Sequence, residues 1–162
     1  MALGTEKFEK DIMKRPPISP QKGFFSDGLW IDISLEGMLV GTLTVLSYLA
    51  GRLIFPSDDP IILGRTMAFC TLSFCEIVHA INMRSSLPLY KAGIFSNRMM
   101  NIAVAVCSLV QASVVIIPPL ADVFGVIPMS AIQWAIVIGL SIVPLITGEA
   151  GKIIYARKKS SS

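Results

Sequence analysis

The sequence predicts an all-α, polytopic membrane protein built as a bundle of four transmembrane helices. Three observations predict it. Apolar residues make up 53% of the 162-residue chain and charged residues only 15%, where soluble domains carry roughly 25% charged residues. The apolar residues are gathered into long runs; 99–120 and 126–148 hold no charge at all, and Asp122 falls in the gap between them. At ~1.5 Å per helical residue, about 20 residues cross a ~30 Å hydrocarbon core. The runs are too long and too little alternating for barrel strands, and only helices or closed barrels satisfy every backbone amide in lipid.

Residues 1–27 read as a polar cytoplasmic lead segment. Pro16, Pro17 and Pro20 exclude a continuous helix there, because proline lacks the amide donor and clashes with the preceding turn. With no apolar core followed by a cleavage site, the segment is not expected to be a signal peptide. The transmembrane domain is expected over 28–156, with helices at about 29–55, 63–83, 97–117 and 128–155. Breakers separate them: Pro56 to Pro60; Ser85, Ser86, Pro88 and Gly93; and Pro118-Pro119 followed by a short link to Pro128. Pro144 lies inside the fourth helix, where it should kink the axis. Residues 157–162 form a basic cytoplasmic tail.

Basic residues orient the bundle. Five lie in the lead segment. Arg84, Lys91 and Arg98 flank the second and third helices, and Lys152, Arg157, Lys158 and Lys159 close the chain. The opposite side has only Arg52 and Arg65, both at helix ends from which they can snorkel to the headgroups. Both termini are therefore expected in the cytoplasm of a multi-pass protein. A prokaryotic plasma membrane is the expected location, apart from the charge argument.

Glu76 is the most informative single position. An ionisable group in a membrane helix costs roughly 2.5–3.5 kcal/mol on insertion scales and usually faces protein. A carboxylate is a hard oxygen ligand suited to calcium; an interhelical hydrogen bond is the plainer reading. His79 shares its helical face one turn on, as a polar packing contact. A carboxylate-bridged metal bundle would need a second copy and more glutamates. Asn82 reads as an end or interhelical hydrogen-bonding residue, and Gln111 and Gln133 as helix-contact groups. Gly37 and Gly41 form a G-x-x-x-G pair of the kind that admits a close neighbour in lipid. Asp32 and Glu36 complement the dipole at a helix start, and Glu149 with Lys152 should form a local ion pair. Cys70, Cys75 and Cys107 give no disulfide framework or metal spacing and read as small packing residues. No phosphate-binding loop, catalytic set or nucleic-acid signature occurs, so no catalytic residue and no nucleic-acid partner is expected.

Several segments together are similar to one family. Asp11 to Pro17 resembles the loop after the sixth membrane helix of P-type calcium-transporting ATPases. Gly64 to Phe69 and Glu76 to Ser85 resemble the eighth helix and its exit. Gly93 to Arg98 resembles the loop into the ninth, and Pro128 to Trp134 the start of the tenth. The resemblance covers nearly the whole chain, in order. It implies a carboxy-terminal membrane domain, helices seven to ten, supporting a calcium pump. It also implies that Glu76 gives one oxygen to a calcium site shared with helices outside this chain, and that Gly37 and Gly41 pack against the fifth helix. The phosphorylated aspartate, the nucleotide domain and the first six helices of the family are not in this sequence. No cofactor is thus expected in the chain itself; ATP and magnesium belong to the other domains, and the chain alone should neither hydrolyse nor pump. Its expected partners are lipid and the amino-terminal portion of such an ATPase, or another membrane chain. The alternative is a free-standing, non-enzymatic four-helix membrane protein that binds or regulates a partner.

Overall fold

The computed structural model describes residues 29–83, 93 and 97–160. The lead segment at 1–27, the breakers Ser85, Ser86 and Pro88, and the basic residues Arg84 and Lys91 lie outside the described residues. Among the described residues five helices occur, in the order α1 (Leu29–Leu53), α2 (Pro60–Asn82), α3 (Arg98–Ile116), α4 (Pro118–Phe124) and α5 (Ala131–Ser160). Four are long and apolar enough to cross a membrane, over Ile33–Leu53, Pro60–Asn82, Arg98–Ile116 and Ala131–Ile154.

The helix ends differ from the sequence expectation where proline opens a helix instead of closing one. Helix α2 begins at Pro60, three residues early, because Asp59 accepts the Ile62 amide at 3.2 Å and proline sits in the first turn, where a missing N–H costs nothing. By the same logic Pro118-Pro119, expected to be a stop, starts the short helix α4, which ends at Gly125 with φ of 62°. Helix α5 starts at Ala131 and runs through Pro144 to Ser160, so the backbone of 157–160 continues the helix. Gln133, a buried residue, caps its own helix. Its Oε1 accepts the Ser130 amide at 2.7 Å while the Gln133 amide points back to Ser130 Oγ at 3.4 Å, a reciprocal Ser-x-x-Gln box that caps α5.

Helix α2 is the centre of the bundle and packs on α1, α5 and α3; α1 also touches α5, while α3 otherwise meets α4. Leu63, Met67 and Cys70 of α2 meet Val114 and Val115 of α3, Ala121 of α4 and Val126 and Val137 around the start of α5. A second cluster joins Val40 and Leu43 of α1 to Cys75, with Leu39, Leu140 and Val143 packed against it. Large aliphatics cover the outside, whereas Ser47, Thr66, Thr71 and Ser141 are buried. Lipid is as apolar as a leucine core, so helices in it associate through close contact and small polar groups. Thr71 Oγ1 donates to Ser47 Oγ at 2.7 Å, and Ser141 Oγ lies 3.3 Å from the Thr71 carbonyl. These contacts tie α1, α2 and α5 at one level.

The closest approach is between α1 and α2. A Cβ on Gly51 would lie 2.9 Å from Gly64 Cα, and one on Gly64 would lie 2.8 Å from the Tyr48 carbonyl oxygen. Among the described residues, Gly51 and Gly64 are the glycines that let backbones touch. Of the cysteines, Cys70 and Cys75 are buried as packing residues, but Cys107 is exposed on α3, which packs on the bundle along one side only.

An open groove carrying Glu76

Hydrogen bonds and glycine contacts fix the antiparallel register of α1 and α2. Ser47 lies opposite Thr71, Gly51 opposite Gly64 and Met67, and Glu36 opposite His79, with His79 Nε2 3.5 Å from Glu36 Oε2. Glu76 is six residues from Asn82, so it lies ~9 Å inside that end of α2 and not at its midpoint. Its side chain is exposed.

Helical phase shows what Glu76 shares its surroundings with. At ~100° per residue, Val40, Ser47 and Gly51 define the line of α1 that meets α2, and Gly64, Thr71 and Cys75 define the line of α2 that meets α1. Helix α5 covers one flank of this seam. It reaches α1 beside Leu39 and Leu43, and α2 where the Phe74 and Trp134 rings meet edge-on at 6.2 Å. On the other flank, turned about 60–120° from the seam, lie Gly37 and Gly41 of α1 and Leu72 and Glu76 of α2. All four are exposed, and a Cβ on either glycine would have nothing within 4 Å. The register sets Gly41 level with Glu76. The flank is thus left open, with two glycines of α1 and, at the same level, a carboxylate of α2 along its borders, and the Glu36–His79 pair lies one turn away.

A single carboxylate does not hold a divalent cation, because calcium takes about 6–8 oxygen ligands. Among the described residues no three His, Cys, Asp or Glu side chains gather in metal-binding geometry. His79 faces Glu36, a polar contact between helices. Asn82 is held differently: Lys152 Nζ donates to its backbone carbonyl at 2.6 Å and to Glu149 Oε1 at 3.0 Å. The Asn82 amide lies where a Cβ on Gly148 would fall, and its Oδ1 is buried without a hydrogen-bond partner among the described residues. This joint locks the end of α2 that carries Glu76 to α5. The ion pair is readable at its i,i+3 spacing; the Asn82–Gly148 contact and the Glu36–His79 pair depend on register between helices and have no local signal.

The family described as cation transporting ATPase, C-terminus, matches residues 1–154. The chain belongs to this family. Among similar proteins of this group, a calcium-transporting ATPase 1 of Bacillus cereus is 31% identical over 94% of this chain and 19% of its own length. A calcium-transporting ATPase of Bacillus subtilis is 29% identical over 98% of the chain and 17% of its own length. The human calcium-transporting ATPase type 2C member 1 is 28% identical, with the same two shares. The chain spans under a fifth of the length of these relatives.

Proposed function

We propose that the chain is the carboxy-terminal support bundle of a P-type calcium pump. In this reading Glu76 supplies one oxygen to a calcium ion whose other ligands come from helices outside the chain. The observation that carries the proposal is the groove, in which a carboxylate stands at membrane depth beside two uncovered glycines in a member of the cation-ATPase C-terminal family. An exposed carboxylate facing lipid is costly; a helix laid against Gly37 and Gly41 shields it and brings further oxygens to it. The Lys152–Asn82 joint and the Gly51–Gly64 contact hold the α2 wall of the groove in place. Nucleotide and magnesium engage domains outside this chain, which alone has no part that hydrolyses ATP. The partners are the amino-terminal portion of the pump and lipid. Both ends of the chain lie in the cytoplasm of a prokaryotic plasma membrane, consistent with the basic flanks. The free-standing alternative has no observation in its favour.

Co-expression with the complementary amino-terminal portion of a related pump tests this. Calcium-dependent ATPase activity should return, Glu76→Gln should weaken its calcium dependence, and Gly41→Leu should abolish assembly while leaving the isolated bundle folded. Normal calcium affinity with Glu76→Gln in a restored pump removes the ligand role. Restoration unaffected by Gly41→Leu removes the groove as the docking face.

A further inference from the structure

At the end of the bundle that carries the links 54–59 and 117–130, an open-sided cavity of about 130 Å³ lies between α2 and the turn after α4. It is lined by Arg65, Phe69, Phe124, Gly125 and Val126. That is about ten times the volume a single buried water requires. Its walls are tied together. The Ile127 amide donates to Thr66 Oγ1 at 3.1 Å, which fastens the link to α2. Phe69 and Phe124 stack with ring centroids 6.3 Å apart and planes at 29°. Gly125, in the left-handed region, turns the chain back from α4 across the mouth.

Arg65 is the one charged group in this lining. It is exposed, and it makes no hydrogen bond or ion pair with any of the described residues. Asp58, Asp59 and Asp122 sit at the same end of the bundle, but none lines the cavity, and Asp59 is engaged in capping α2. Five residues in from Pro60, Arg65 starts ~7.5 Å below the helix end, a depth from which a long side chain brings its charge to the headgroup layer while its stem stays in hydrocarbon. A planar guanidinium matches two oxygens of a phosphate at once, and everything else around it is aromatic, aliphatic or backbone.

We propose that this cavity seats one anionic phospholipid from the adjoining leaflet, its phosphodiester on Arg65 and the upper part of its acyl chains against Phe69 and Phe124. The chemistry selects a lipid over dissolved phosphate. One guanidinium gives a soluble anion little beyond a single contact, whereas a lipid is already held in the leaflet at the level of Arg65 and adds close contact between its chains and two rings. A net negative headgroup is favoured over a zwitterionic one because no acidic side chain of the lining receives a second, positive group.

Native mass spectrometry of the full chain, released from micelles holding equal phosphatidylglycerol and phosphatidylcholine, tests this. Wild type should retain one phosphatidylglycerol in preference to phosphatidylcholine. Arg65→Gln should lower that retention about tenfold, the value of one charge-assisted contact. Phe124→Ala, on the short exposed helix, should lower it as well, and Arg52→Gln should leave it unchanged. Equal retention of the two lipids, or full retention by Arg65→Gln and Phe124→Ala, overturns the proposal. So does loss of the lipid on adding excess inorganic phosphate, which would make the cavity a site for the free anion.

Discussion

Replacing Gly64 by alanine puts the α1–α2 contact to a quantitative test. The new methyl carbon would stand 2.8 Å from the Tyr48 carbonyl oxygen and 3.1 Å from two carbons of its ring. The ring can swing, but the carbonyl is part of the α1 backbone. A carbon–oxygen contact settles at about 3.3 Å or more, so α1 must withdraw by roughly 0.5 Å. Less than two turns further along, that movement stretches the 2.7 Å bond between Thr71 and Ser47. Overpacking of this kind costs about 1–3 kcal/mol, while exchanging glycine for alanine in a helix returns up to ~1 kcal/mol. Gly37→Ala carries the same helix gain with no atom in the way. The difference between the two variants therefore isolates the clash, and Gly64→Ala should be less stable than Gly37→Ala by about 1–3 kcal/mol. Reversible unfolding in mixed micelles, read by steric trapping or by far-ultraviolet dichroism, gives both values. Variants equal within about 0.5 kcal/mol, the scatter of neutral surface changes, would refute backbone contact as the basis of this packing.

Three further outcomes follow from the same geometry. Lys152→Met removes donors to the Asn82 carbonyl and to Glu149, and should cost about 1.5–3 kcal/mol in the same unfolding measurement. Ser47→Ala should cost only about 0.6 kcal/mol, the average for a hydrogen bond between membrane helices; a loss above ~2 kcal/mol would mean that the bond holds more than its own two helices. A membrane-permeant maleimide should modify Cys107 alone in the folded chain and all three cysteines after denaturation, since Cys70 and Cys75 are fully buried. Counting adducts by intact mass decides it.

The four spans were legible because ~20-residue apolar runs have few other fates. Asn97, an N-cap that accepts the Met100 amide at 3.0 Å, marked the start of α3 within a residue. Proline accounts for the displaced helix ends: Pro60 and Pro118 read as breakers, although the absent amide that ends one helix is harmless in the first turn of the next. The Ser130 to Gln133 spacing is a cap signal that reading Gln133 by residue type alone passes over. The groove was half legible. Glu76, Gly37 and Gly41 stood out by residue type, yet their common flank depends on which faces α5 covers. Gly51 and Gly64 carried no signal, since they become neighbours only after the turn at 54–59 brings α1 and α2 together.

The one-sided attachment of α3 has a mechanical consequence. Helices α1, α2 and α5 brace one another in a triangle, whereas α3 is moored to α2 along a single seam, where Gln111 approaches Cys70 at 3.9 Å. A push delivered from the uncovered flank is therefore borne by the triangle, and it arrives at α3 only after crossing the whole width of α2. The triangle works as a keel and α3 as an outrigger, carried on the half of α2 that lies away from Glu76.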